Sequence, residues 1–137
     1  MNSLLLNLID PSPSLRRLSW LVFVLMTCAL LYLGSRAGAA TVIPPPPVDK
    51  LLHMVVFGTL AAIVWVACGS RSVLAPLMIV TAVGLADEGL QALSPERVAS
   101  LTDLVADVVG ALTALLMMTA LRRVVSRFAA ARTGRLE

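Results

Sequence analysis

Residues 51–68 read LLHMVVFGTLAAIVWVAC, a stretch containing no acid, lysine or arginine. Its length and character match the ~17 to 25 residues that a helix needs to cross the hydrocarbon core of a bilayer. Three further apolar runs surround it, at 18–33, 73–93 and 104–121. Apolar residues occupy most faces of each run, so none carries the narrow stripe of a helix that packs in water. Backbone amides in hydrocarbon must bond within their own segment, which runs of this length do as helices, whereas barrel strands would be about half as long. The composition agrees: the hydrophobic fraction is 58% and the mean hydropathy +0.90, above the roughly 45 to 50% apolar content of soluble domains. A chain of 137 residues is one domain's worth. The expected fold is all-α, a four-helix transmembrane bundle at 18–121, preceded by a cytoplasmic segment at 1–17 and followed by a basic cytoplasmic tail at 122–137.

The placement of positive charge sets the expected orientation. Arg16 and Arg17 precede the first run, Arg71 lies in the second connection, and Arg122, Arg123, Arg127, Arg132 and Arg135 follow the fourth. Only Arg36, Lys50 and Arg97 fall in or beside the first and third connections. The positive-inside rule therefore puts both ends in the cytoplasm, as an even number of spans allows, and the Arg-rich tail meets anionic headgroups. This arrangement, rather than a basic face, argues against a nucleic-acid partner. Ala37-Gly38-Ala39 also resembles a signal-peptidase site, but Arg36 interrupts the pattern and an uncleaved first helix is expected. Cys28 and Cys68 lie inside apolar runs and read as small buried hydrophobes, neither a disulfide nor a metal pair.

The connections carry recognisable punctuation. Asp10-Pro11-Ser12-Pro13 opposes helix, and Pro44-Pro45-Pro46-Pro47 favours an extended polyproline rod. Asp49 is placed to cap the second helix, Gly69-Ser70-Arg71-Ser72 makes a short turn, and Pro76 falls where a first helical turn tolerates a missing amide. Ser94-Pro95 permits a brief interfacial helix, and Ser100-Leu101-Thr102-Asp103 has the form of a capping box with Asp in the acidic position.

Ionisable groups inside membrane spans cost several kcal/mol unless paired or wetted, so each needs a reason to be there. They are few. Asp49, Lys50 and His53 open the second helix, Asp87, Glu88 and Gln91 end the third, and Asp103 and Asp107 begin the fourth. Alternating helix direction brings all of them to one membrane face. Gly84, Asp87, Glu88 and Gln91 recur at helical spacing and form one stripe; Asp103, Ala106, Asp107, Gly110 and Ala114 form a second, and Lys50, His53 and Phe57 a third. Small residues beside the acids permit close helix approach. The expected site is an outward-facing polar pocket of Lys50, His53, Asp87, Glu88, Gln91, Arg97, Asp103 and Asp107. Simpler roles compete: Asp49 and Asp103 as caps, Lys50 and Arg97 as snorkelling side chains, and His53 as partner of a carboxylate rather than as a metal ligand. Asp87, Glu88 and Asp107 escape such explanations and point to a network in which a carboxyl is protonated or bound to a cation. No metal or cofactor is assigned.

Taken in order, Asp49-Lys50-Leu51-Leu52-His53, then Asp87-Glu88-Gly89-Leu90-Gln91, then Arg97 with Asp103, Asp107 and Gly110 resemble the VanZ-like family of small bacterial membrane proteins. That family's pattern is D-K-x-x-H, D-E-x-x-Q, and an Arg followed by D-x-x-x-N-x-x-G. Asp107 here stands where the family usually has Asn, which adds a negative charge. The family is named for a protein that raises resistance to the glycopeptide antibiotic teicoplanin, so the resemblance implies a role in the bacterial cell envelope, at the inner membrane, near lipid-linked cell-wall material. The expected partners are membrane lipids and a lipid-linked cell-wall precursor or glycopeptide.

Two functions follow as expectations. One is a binding or envelope-modulating protein in which Lys50, His53 and Arg97 face anionic groups while the carboxylates and Gln91 take hydroxyls or amides. The other is an intramembrane enzyme using His53 with Asp87 or Glu88 as acid and base, with or without a divalent metal. The sequence has no nucleophile motif, no H-E-x-x-H and no phosphate-cradling glycine loop. An ion or proton path is disfavoured, because the polar residues do not continue into the cytoplasmic half.

Overall fold

The computed structural model describes residues 10–36, 47–94 and 99–133 together with residues 7 and 45, the side chains of residues 132 and 133 excepted. Four α-helices make up the described chain: α1 (Pro13–Gly34), α2 (Val48–Ala67), α3 (Leu74–Ala92) and α4 (Leu101–Thr133). Each is long and apolar enough to cross a membrane, and no strand occurs among the described residues. The all-α four-helix fold follows.

Local chemistry explains where the helices start. Ser12 caps α1, its Oγ accepting the Leu15 amide at 3.3 Å, and Pro13 takes the first helical position. The proline-rich lead thus opens the helix five residues ahead of the apolar run, because proline loses nothing where the amide has no partner. At Pro47 the chain has already left the extended polyproline form, with ψ at 3° and the Val48 amide donating to Pro45 O at 3.1 Å. Pro47 occupies the N-cap position, so Asp49 does not; it lies within the first turn, where its Oδ1 accepts the Lys50 amide at 2.7 Å. The end of the polyproline stretch aside, the first connection lies outside the described residues, as do Arg97 and the interfacial helix expected around it.

The turn from α2 to α3 is a Schellman motif. Gly69 (φ 82°) and Ser70 (φ 59°) take left-handed backbone, and their amides donate back to Val66 O and Trp65 O, each at 2.9 Å. Such a motif needs glycine at its first left-handed position. Two arginines from the outer ends of the chain hold this turn: Arg16 Nε donates to Ala67 O at 3.1 Å, and Arg122 donates to Ser70 O. Carbonyls left over at the C-terminus of α2 are thereby satisfied.

Helices α2 and α4 form the central pair, with α1 and α3 packed against it. The pair approaches through glycine. A Cβ on Gly110 would lie 2.5 Å from Met54 Cα and 2.7 Å from its carbonyl carbon, and one on Gly58 would lie 3.1 Å from Gly110 O. Phe57, Leu60, Ala61, Val64, Trp65, Val80, Ala111 and Leu115 fill the core beside this contact, and Phe23 joins it from α1. Large apolar side chains such as Leu21, Leu25, Val55, Met78, Leu116 and Met117 point outward, as lipid-facing positions do when the solvent is hydrocarbon. Cys28 is exposed and Cys68 half-buried, both free. The expected burial of Cys28 is corrected: its position falls on the outer face of α1.

Helix α4 also exceeds its expectation. Its 33 residues span ~50 Å, against a hydrocarbon core of ~30 Å. Arg122 and Arg123 do not end it, since neither breaks a helix and no glycine or proline appears before Gly134.

Replacing Gly110 by Ala is expected to lower stability in detergent by about 1 to 3 kcal/mol through overpacking against Met54. Gly89→Ala is the control, because nothing lies within 4 Å of the added Cβ. Equal thermal midpoints for the two variants would refute the close-contact assignment.

Candidate functional site

The polar residues gather at one end of the bundle, where α2 and α4 begin and α3 ends. On α2, Lys50, His53 and Phe57 share one face, and the His53 ring stacks on Phe57 with centroids 6.2 Å apart and planes at 9°. On α3, the buried face runs through Pro76, Val80, Gly84, Asp87, Glu88 and Gln91. On α4, Asp103, Ala106 and Asp107 are buried at the same level. Exposure is 1% for Asp107, 2% for Gln91, 3% for Asp87 and 8% for Glu88, so these groups point into the bundle and away from lipid.

Between α2 and α4 the residues form a continuous chain of contacts. Lys50 Nζ pairs with Asp49 Oδ2 at 2.9 Å and with Asp103 across the interface. His53 Nδ1 meets Asp107 Oδ1 at 2.8 Å, while Nε2 stands 3.8 Å from Asp103 Oδ2. Asp103 thus faces both the lysine and the histidine. The other oxygen of Asp107 packs toward α3, where a Cβ on Gly84 would come within 2.9 Å of it. Gly84 is glycine because the carboxylate occupies the space a side chain would need.

The second group sits on α3. Asp87 Oδ2 accepts from Gln91 Nε2 at 2.8 Å, one turn on, and Asp87 Oδ1 lies where a Cβ on Gly34 would approach to 3.0 Å. Glu88 Oε2 accepts the Ser100 amide at the entry to α4. This replaces the expected capping box: Asp103 is drawn to Lys50, and an acid from another helix satisfies the amide that Asp103 would have reached. Ser100 Oγ instead meets Thr102 Oγ1 at 2.7 Å. Sequence spacing gave no sign of the Glu88–Ser100 bond or of Gly34 beside Asp87, since both depend on tertiary placement.

The electrostatics are one-sided. Among the described residues, five carboxyl groups, on Asp49, Asp87, Glu88, Asp103 and Asp107, gather at this end with Lys50 and His53 as the basic groups, and Asp49, Asp103 and Asp107 contact those two directly. Asp49 and Asp103 lie in first turns, where the helix dipole favours an anion. Asp87 and Glu88 lie toward a C-terminal end and have no such help. Glu88 Oε1 and Asp107 Oδ2 are buried with no hydrogen-bond partner among the described residues. The arrangement can accept protons and hydrogen bonds, and it holds an imidazole in one orientation through Asp107. Among the described residues no set of three or more His, Cys, Asp and Glu side chains is disposed to hold a metal ion.

Comparison with known proteins places this arrangement. No curated protein and no solved structure matches the chain. The family model described as VanZ/LLP1 matches residues 6–122, a span that takes in α1, α2, α3, the polar end and α4 up to its first arginine. This multi-pass membrane protein of four apolar helices, with its acidic and histidine-bearing end, belongs to the VanZ/LLP1 family.

Proposed function

We propose that this chain is a protein of the bacterial inner membrane whose polar end opens to the outer side and binds the headgroup of a lipid-linked cell-wall precursor or a glycopeptide-type ligand. The orientation rests on Arg16, Arg17, Arg71, Arg122, Arg123 and Arg127 lying at the opposite end. One observation carries the ligand chemistry: Glu88 Oε1 and Asp107 Oδ2 are buried acceptors with no partner among the described residues. Buried acceptors left unmade cost about 1 to 3 kcal/mol each, more when charged, so groups that donate to them bind with that gain. Sugar hydroxyls, amides and ammonium groups are such donors. Lys50 and His53 are already engaged by Asp49, Asp103 and Asp107, so they support the carboxylates rather than face an anionic ligand, and the ligand's phosphates stay outside the cluster.

A second reading is favoured by the His53–Asp107 contact. An aspartate on Nδ1 sets the tautomer and orientation of an imidazole, as in hydrolytic triads. Nε2 then faces Asp103 across 3.8 Å. In this reading His53 takes a proton from a substrate hydroxyl or water at Nε2, and Asp107 stabilises the imidazolium.

Glu88→Gln keeps the shape of the side chain and removes its charge. Binding of a lipid-linked disaccharide, followed by native mass spectrometry, is expected to weaken about tenfold, as the loss of one charge-assisted contact implies. The binding reading fails if the unaltered protein retains no such ligand and Glu88→Gln leaves envelope sensitivity to glycopeptides unchanged.

His53→Gln separates the two readings. If His53 is an acid or base, product formation from the same lipid falls about 100-fold or more while ligand retention stays within a few-fold. The absence of turnover by the unaltered protein over hours removes the enzymatic reading.

A further inference from the structure

At the end of the bundle opposite the acid cluster, the first two turns of α1 and the last turn of α2 border an open recess of about 220 Å³ lined by Pro13, Arg16, Arg17, Trp20 and Ala67. The four α1 residues recur at i, i+3, i+4 and i+7, so a single face of the helix delivers them. Arg16 is anchored, its Nε donating to Ala67 O at 3.1 Å. That bond uses one of five guanidinium N–H groups. Arg17 is exposed and makes no ion pair or hydrogen bond through its side chain among the described residues. Asp10, the one described carboxylate outside the polar cluster, stands 3.8 Å from Arg71 rather than near either arginine. Two guanidinium groups therefore border one recess with no ion pair to a carboxylate among the described residues.

The walls identify the partner further. Trp20 packs edge-on against Phe23, centroids 5.9 Å apart at 78°, which holds the indole over the recess. Tryptophan takes its station at the boundary between headgroup and hydrocarbon, and Arg16 and Arg17 precede Trp20 by about one turn of α1, on the side of the indole away from the apolar run. Leu18, Leu21, Val24 and Leu25 continue from the recess along the outward surface of α1 and are all exposed. A soluble phosphate would use the guanidinium groups alone; a phospholipid would also cover the indole and lay its acyl chains on those leucines and valine.

We propose that this recess binds the phosphodiester headgroup of an anionic phospholipid, with Arg16 and Arg17 on the phosphate, Trp20 and Pro13 against the glycerol, and the outer face of α1 under the acyl chains. Planar guanidinium groups suit phosphate because two N–H bonds reach two oxygens at once. The bound lipid joins the α1 entry to the α2 exit at the point where Arg16 already links them. This site does not depend on the ligand assigned to the polar end.

The test is a titration of the full-length protein, in mild detergent, with phosphatidylglycerol, phosphatidylcholine and inorganic phosphate in separate arms, read by native mass spectrometry. Saturable retention of one phosphatidylglycerol is expected, weakened about tenfold in Arg17→Gln, as the loss of one charge-assisted contact implies, and unchanged in Arg123→Gln at the same end of the molecule. Trp20→Leu is expected to weaken binding as well, with helix content by circular dichroism unaltered. Equal binding of phosphatidylcholine, equal loss in Arg123→Gln, or no loss in Arg17→Gln overturns the site. Displacement of the lipid by inorganic phosphate at equal concentration overturns the assignment to a phospholipid.

Discussion

Helices in lipid gain little from hiding apolar surface against one another, because the acyl chains are as apolar as leucine. Contact between them rests on dispersion at short range, and that requires backbones to come close. In this bundle the requirement is met where Gly110 lies against the backbone of Met54 and Gly58 against the carbonyl of Gly110. The position of that contact matters as much as its existence. Met54 follows His53 in the chain, and Gly110 lies one turn beyond Asp107, so the helix axes are drawn together directly below the His53–Asp107 bond of 2.8 Å. A larger residue at Gly110 would separate the partners above it.

Charge inside the membrane is organised in the same way. Asp49 bonds its neighbour Lys50, and the other four acids of the polar end are bonded to something from another turn or another helix: Asp103 to Lys50, Asp107 to His53, Glu88 to the amide of Ser100, and Asp87 to Gln91. Buried ions are tolerated when they are paired and hydrogen-bonded, and most of these bonds cross between elements, so the polar groups also fix how the helices meet. At the far end Arg16 and Arg122 close an interface too, by donating to the carbonyls of Ala67 and Ser70 where α2 gives way to its turn. One end is stitched by ion pairs and the other by guanidinium groups on backbone carbonyls.

Much of this was legible in the sequence. Hydropathy alone located four spans, and the i, i+3, i+4, i+7 spacing of Gly84, Asp87, Glu88 and Gln91 identified a stripe that is buried in the bundle. Alternating helix direction also implied that α2 and α4 run the same way and start at one end, which brings Lys50 and His53 level with Asp103 and Asp107; which base meets which acid is settled by the packing. What the sequence did not reveal depends on competition between partners. Asp103 has the spacing of a capping acid, but Lys50 offers it a full charge, and Glu88 takes the amide it leaves. Asp49 looked like a cap because its type suits one, yet Pro47 turns the chain earlier. The extent of α4 was hidden for another reason: membrane hydropathy reports where lipid ends, and a helix is free to continue past that boundary.

That continuation has a mechanical consequence. Helix α4 carries Asp103 and Asp107 at its first turns and Arg122 about four to five turns later, with no proline or glycine between Gly110 and Thr133. One unbroken helix therefore carries the Asp103 and Asp107 carboxylates near its start and the Arg122 guanidinium on Ser70 further along, so α4 is a single tie-beam fastened to α2 at both of that helix's ends.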